Sequence, residues 1–328
     1  MTKWPKKDLT IGIASSALFD LTESDAIYRE QGVDEYEKYQ KEHIDDVLTP
    51  GVAEPFIHKL LKFNELFTPE DRDRGVEVII MSRNSPLTGL RVMNSVKALG
   101  LPIEKALFLN GESPARYMGT FNADLFLSAN REDVRTVARM GLPAGRIVAN
   151  NVQAGQDPHP NELRLAFDFD GILAGDSSER EFQNKLRDTT TIQEALEQYT
   201  DYETEHVNDP IEGGPLVGFL RGINRLQEAS QTPYTKGKDI PTINISLVTA
   251  RGTFTAHRAL NTLEEHGLHI NDSFMLAGAS KTPILEAIQP DLFFDDQLKN
   301  LDPDAQVPAV HVPFGVCNPC VSGYMTTR

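Results

Sequence analysis

Asp168 and Asp170 stand two residues apart in Leu165-Ala-Phe-Asp-Phe-Asp-Gly171, directly behind an apolar run. Two carboxylates on a tight turn at the end of a buried strand suit a hard cation such as Mg²⁺, which prefers oxygen ligands and brings phosphate with it. In an α/β sheet, ligands gather at the carboxyl ends of the strands, and a carboxylate there can also act as a covalent nucleophile towards phosphorus. Alone, Asp-x-Asp-Gly is more often a solvated turn. Three later segments change that. Ile245-Ser-Leu-Val-Thr-Ala-Arg251 closes a second apolar run with a hydroxyl and a cation. As plain structure it is a strand and an N-cap; as chemistry, Thr249 and the neighbouring Ala250 and Arg251 hold phosphate oxygens at a helix N-terminus. Lys281, in Ala277-Gly-Ala-Ser-Lys281, is either a solvated surface group or a point charge on a phosphate and on the nucleophile. Asp291-Leu-Phe-Phe-Asp-Asp-Gln297 ends a third strand in Asp295 and Asp296, whose mutual repulsion a cation relieves.

The elements that must carry these groups are short apolar runs separated by helix-length segments, which predicts a parallel sheet with helices on both faces. In the second half, strands are expected near 164–168, 243–249, 273–277, 291–294 and 308–312, with helices over 178–188, 191–206, 215–228, 255–266 and 281–288. In the first half, strands are expected near 9–14, 76–81, 106–109, 124–127 and 146–149. The polar, Pro- and Gly-punctuated stretch after Asn150 reads as a linker. The expected organisation is a first domain over 1–150, a linker over 151–162, and a catalytic domain over 163–328 that carries a polar helical insert at about 174–213.

Strand–DxD, strand–Thr, Lys and strand–DD, in this order, resemble the motifs of the haloacid dehalogenase superfamily of phosphotransferases. The resemblance implies that Asp168 attacks phosphorus, that Asp170 protonates the leaving oxygen and then activates water, and that Thr249 and Lys281 hold the phosphoryl oxygens. It also implies that Asp168, Asp295, Asp296 and the Asp170 carbonyl hold Mg²⁺, and that the insert at about 174–213 is a small helical cap over the site.

The first half reads as a second copy without the acids. Tyr36-x-x-Tyr-x-x-Glu-His43 recurs as Tyr199-x-x-Tyr-x-x-Glu-His206 at an offset of 163, and the later segments recur at 160, 168 and 167. Carried across, Asp168 and Asp170 fall on Ala14 and Ser16, Thr249 on Met81, Lys281 on Pro114, and Asp295 and Asp296 on Ser128 and Ala129, with Arg83 opposite Arg251. The fold class expected is therefore α/β, with two tandem parallel-sheet halves related by duplication and the first catalytically degenerate.

The 328 residues carry a net charge of −16, which disfavours a nucleic-acid polymer. Mean hydropathy is −0.34, no apolar run reaches membrane-span length, and no signal peptide is apparent, so a cytoplasmic protein is expected. A homo-oligomer is compatible with all of this. Cys317 and Cys320, in Cys-Asn-Pro-Cys, are too few for a structural zinc site; they read as reduced thiols first and as a redox pair second.

At whole-chain level, Ser15-Ser-Ala-Leu-Phe-Asp20, Tyr36-x-x-Tyr-x-x-Glu-His43, Ala166-Phe-Asp168, Leu247-Val-Thr-Ala-Arg251, Phe293-Phe-Asp-Asp-Gln297 and His311-Val-Pro-Phe-Gly315 together resemble the cytosolic 5′-nucleotidase type I family. This implies Mg²⁺-dependent hydrolysis of nucleoside 5′-monophosphates, AMP being the usual substrate among its animal members. The chain departs from the family pattern at Phe169, at the small Ser16 and at Met81-Ser-Arg-Asn84. Aromatic candidates for a base contact are Phe169 and Tyr202, with Tyr199 and Phe254 beside them. Competing readings are a phosphatase of another small phosphomonoester, such as a sugar phosphate, and a nucleotide-sensing protein.

Overall fold

The computed structural model describes residues 6–318 apart from 69, 72, 149–156 and 232–237. The first half supplies strands β1 (Leu9–Ile13), β2 (Val76–Ser82), β3 (Lys105–Phe108), β4 (Leu125–Ser128) and β5 (Ala144–Ile147). The second supplies β6 (Glu162–Phe167), β7 (Thr242–Thr249), β8 (Asp272–Met275), β9 (Leu292–Asp295) and β10 (Ala309–His311). All ten join in one sheet of order β3-β2-β1-β4-β5-β10-β9-β6-β7-β8. Pairing is parallel within each half. The parallel expectation is corrected only at the seam, where β5 and β10 run antiparallel with Ile147 opposite Val310 and Arg146 opposite His311. Read inward from its outer edge, each half has the same order, with a chain reversal between its first and fourth strands. Such a reversal opens a crevice at the strand ends.

Both faces of the sheet are covered, as the apolar composition of its strands requires. Alternate residues split between the faces. Ile11, Ile13, Val78, Ile80, Leu165, Phe167, Leu247 and Phe294 belong to one core that runs through both halves. Helices Glu54–Lys62 and Val217–Ser230 pack on this face, with Phe56 against Phe219 and Phe219 against Phe167 and Phe294. On the opposite face Ile79, Met81 and Phe126 lie in a first-half core, and Ala166, Val248 and Phe293 in a separate second-half core.

The second-half helices stand at Ser177–Asp188, Ile192–Glu205, Val217–Ser230, Ala256–Glu265 and Thr282–Ile288. The first two form the hairpin between β6 and β7. Thr191 begins the second of them with a capping box to Glu194. The stem of this insert is closed by a bridge between Ala174 and Gly213. Gly214 beside it has no room for a side chain, because a Cβ there would run into the Ile172 carbonyl oxygen. In the first half Phe19 and Pro50 form the equivalent bridge. Of the expected linker, 151–156 falls outside the described residues, and its last residue, Glu162, already belongs to β6. Among the described residues no helix is long and apolar enough to cross a membrane.

Candidate active site

The four sequence segments meet at the carboxyl ends of β6, β7 and β9. Asp168 follows β6, and its amide donates to the Phe294 carbonyl at 2.9 Å, which locks the turn to β9. Lys281, at the start of helix Thr282–Ile288, reaches Asp168 Oδ1 at 2.8 Å and Asp295 Oδ2 at 2.7 Å with its Nζ. Asp295 is completely buried and is further held by the Gln297 amide at 2.8 Å and by Asn300 Nδ2 at 3.0 Å. Asp296 is fixed through its carbonyl, which accepts from His311 Nε2 at 3.0 Å and from Asn318 Nδ2 at 2.9 Å. Its carboxylate is left pointing inward. Gly171, at φ 75°, makes that possible, since a Cβ there would lie 2.7 Å from Asp296 Cγ.

One carboxylate oxygen from each of Asp168, Asp295 and Asp296 lies within 4.8 Å of the others, and all three residues are buried. Burial, relieved in part by Lys281 and aggravated by Asp295, pushes Asp168 up to about 7. Burial, with Asp168 and Asp295 alongside, pushes Asp296 up to about 9. Asp296 Oδ1 is a buried oxygen with no hydrogen-bond partner. Clustered oxygens, an orphaned lone pair and carboxylates that resist ionising next to one another fit a divalent hard cation.

Asp170 faces a different partner. Arg251 grips it with two bonds, Nε to Oδ2 and Nη2 to Oδ1, each 2.8 Å. The Arg251 side chain is only 2% exposed, its Nη1 pairs with Glu203, and it lies 4.9 Å over the Phe169 ring. The guanidinium is thus engaged by two carboxylates, which leaves the backbone of Arg251, and not its side chain, for the phosphate contact expected of this segment. Thr249 is buried beside it, its Oγ1 accepting from the Arg251 amide at 3.2 Å, and Ala250 is exposed. Phe169 is completely buried under Arg251, which corrects its candidacy as a stacking surface. Tyr202 packs against His206 and under Arg258, whereas Phe254 is 83% exposed. Cys317 is half-buried, and burial with Glu179 and Asp296 nearby pushes its thiol up to about 12, which favours the protonated form; Cys320 lies outside the described residues.

Strand register corrects the comparison of the halves by one residue. Ile13 pairs with Ile80 as Phe167 pairs with Leu247, so Thr249 corresponds to Ser82, Ala250 to Arg83 and Arg251 to Asn84. The local bonds agree: the Asn84 amide donates to Ser82 Oγ at 3.2 Å, as that of Arg251 does to Thr249 Oγ1. Matching Arg83 to Arg251 by residue type had pulled the comparison out of register. Arg83 instead binds Asp133 with two nitrogens. Ala14, Ser128 and Ala129 do stand at the strand ends matching Asp168, Asp295 and Asp296, on the rim of a cavity of about 670 Å³.

Sequence reasoning missed Asn300 and Asn318, which carry no motif, and Glu203, which fills an unspecified position of the repeated Tyr-x-x-Tyr-x-x-Glu-His, directly after its second tyrosine. The comparison of Glu203 with Gln40 at that repeat was the signal available.

A family model described as 5′-nucleotidase matches residues 1–319. The chain is 32% identical over 306 residues to human cytosolic 5′-nucleotidase 1B, a match covering 91% of this chain and 47% of that protein, so it spans about half the length of that relative. No solved structure matches. With an acid cluster, a buried lysine and a strand-end threonine arranged as described, and a family match running from the first residue to beyond the last described one, the chain belongs to the 5′-nucleotidase family.

Proposed function

We propose that this chain hydrolyses nucleoside 5′-monophosphates to nucleoside and phosphate through an aspartyl-phosphate. The observation that carries the reading is the buried cluster in which Lys281 bridges Asp168 and Asp295 with Asp296 alongside, in a chain of this family. Asp168, Asp295 and Asp296, with the Asp170 carbonyl, would hold Mg²⁺, which supplies charge neutralisation for the phosphoryl group. A carboxylate oxygen of Asp168 forms a bond to phosphorus as the ester P–O bond breaks, and Asp170 gives the departing 5′-oxygen its proton. Water then attacks the aspartyl-phosphate, Asp170 takes its proton, and phosphate leaves. Lys281 and Thr249 steady the phosphoryl oxygens throughout, since phosphoryl transfer depends chiefly on positioning and electrostatics.

The hairpin Ser177–Glu205 serves as the cap, and the halves 1–150 and 163–328 as two units of one duplicated fold, the first without catalysis. The shared strand order and the matching turn bonds support this. For the base, Phe254, five residues beyond Thr249, offers the open aromatic surface that Phe169 lacks. The human relative's name supports a cytosolic setting for this chain too.

The test is phosphate release from a panel of nucleoside monophosphates and sugar phosphates, with Mg²⁺ and with EDTA. Metal-dependent release that favours nucleotides is the expected result. Release from sugar phosphates alone would transfer the mechanism to another substrate, and nucleotide binding without turnover would make the chain a sensor.

A further inference from the structure

Glu203 is a completely buried charge in the helix Ile192–Glu205, outside every motif that carries the reaction. Its carboxylate takes Arg251 Nη1 on Oε2, and Arg258 Nη1 and Ser178 Oγ on Oε1, both of the latter at 2.9 Å. Arg251 in turn holds both oxygens of Asp170. A chain of paired charges thus runs from the insert after β6 to the carboxylate two residues beyond Asp168.

The first half supplies an internal control. Gln40 stands where Glu203 does, in Tyr39-Gln-Lys-Glu-His43 against Tyr202-Glu-Thr-Glu-His206. The frame around it is the same. His43 Nδ1 donates to the Tyr39 carbonyl at 2.8 Å, as His206 Nδ1 does to that of Tyr202. Arg91 Nε donates to the Asp46 carbonyl at 3.0 Å and its guanidinium lies 5.6 Å over Tyr39, as Arg258 Nε does to Asp209 at 2.9 Å and its guanidinium over Tyr202 at 5.6 Å. Ser95 and Thr262 cap the following loop in the same way. Along this chain of pairs three charges are replaced: Glu203, Arg251 and Asp170 become Gln40, Asn84 and Ser16. The buried arginine is kept without an acid beside it, so packing does not require Glu203. The acid occurs with the Arg–Asp pair and is absent with it.

We propose that Glu203 is a positioning residue for Asp170, acting through Arg251: it fixes the guanidinium fork so that the Asp170 carboxyl is aimed at the leaving oxygen. This rests on the reading of Asp170 as the proton donor. A buried side chain that orients a functional group contributes by holding geometry, and small misplacements of a reacting group cost large factors in rate.

The test is first-turnover nucleoside release by the full chain with Mg²⁺, from AMP and from the analogue whose bridging 5′-oxygen is sulfur. A thiolate leaves without needing a proton, so the analogue bypasses Asp170 while keeping base, sugar and phosphoryl contacts. Glu203→Gln, the side chain the first half itself uses, is expected to slow AMP by about tenfold or more while slowing the sulfur analogue less than about threefold, with KM for AMP little changed. Arg251→Lys, which keeps the charge and removes the fork, is expected to show the same selectivity. Equal losses on both substrates, or no loss on AMP, would overturn the proposal. Asp170→Asn separates the two levels: if it too fails to discriminate between the substrates, the assignment of Asp170 fails; if it discriminates and Glu203→Gln does not, only the positioning role fails.

Discussion

Asp168 is paired with Lys281, and the proposed function asks the same carboxylate to serve as nucleophile and metal ligand. Asp168→Asn keeps the shape and removes the nucleophilic charge, so turnover of the best nucleotide is expected to fall by about a thousandfold or more, the scale seen when an activated nucleophile is lost. Phosphate release under saturating Mg²⁺ checks it, and near-normal release would remove Asp168 from the chemistry. The residues bearing this cluster were legible because each ends an apolar run, and a charged side chain directly after a buried strand has few structural reasons to be there. Arg251 was legible as a cation but not in its role, because sequence shows neither that its fork closes on Asp170 nor that Glu203 waits behind it. Those partners lie 81 and 48 residues away.

At the scale of elements, the turn after β6 sets the distance between Asp168 and Asp296. Gly171→Ala would be strained at φ 75° and would press its methyl against the Asp296 carboxylate. The expected outcome is weaker metal affinity, read as a raised Mg²⁺ concentration for half-maximal activity, with a stability loss of about 1–3 kcal/mol. An unchanged Mg²⁺ requirement would show that Asp296 does not need this clearance. Strands, and the helices of the second half, were read to within a few residues, because short continuous apolar runs bounded by helix-length spacers are strong local signals. The register between β1 and β2 was not, since it depends on which residues face each other across a sheet, and a shared arginine was a poorer guide than backbone pairing.

Across the whole molecule, the acid cluster ties stability to pH and metal. Asp168 and Asp296 titrate near 7 and near 9 in the fold but near 4 in an unfolded chain. The metal-free fold holds their protons more tightly than the unfolded chain, so that contribution is complete below about pH 4 and is lost as pH rises through the folded values. A bound divalent cation favours the ionised carboxylates. The increase in melting temperature from Mg²⁺ over EDTA is therefore expected to grow between about pH 5 and pH 9, and a constant increase would count against a metal held by these acids.

A second whole-molecule link is Lys59, in the first half, whose Nζ lies 2.7 Å from both Asp157 of the linker and Asp291 of the second half. Lys59→Met leaves the Asp291 carboxylate buried and unpaired. Chemical denaturation is expected to show a loss of about 3–5 kcal/mol, and a loss below about 1 kcal/mol would mean that Asp291 is satisfied by the Arg164 amide alone. The seam itself was not legible, because nothing in β5 or β10 records which way the other will run.

That seam joins the last strand of each half to its counterpart, like edge against like edge, in opposite directions. Two equivalent surfaces meeting in this way have the geometry of an isologous contact about a two-fold axis. A half-length ancestor with the same edge could have formed a symmetric dimer through it, each copy hiding the open strand of the other from uncontrolled pairing. If the halves are the duplication proposed above, fusion of two such copies into one polypeptide would make that dimer permanent and free one site to change, while its strands go on covering the edge of the other.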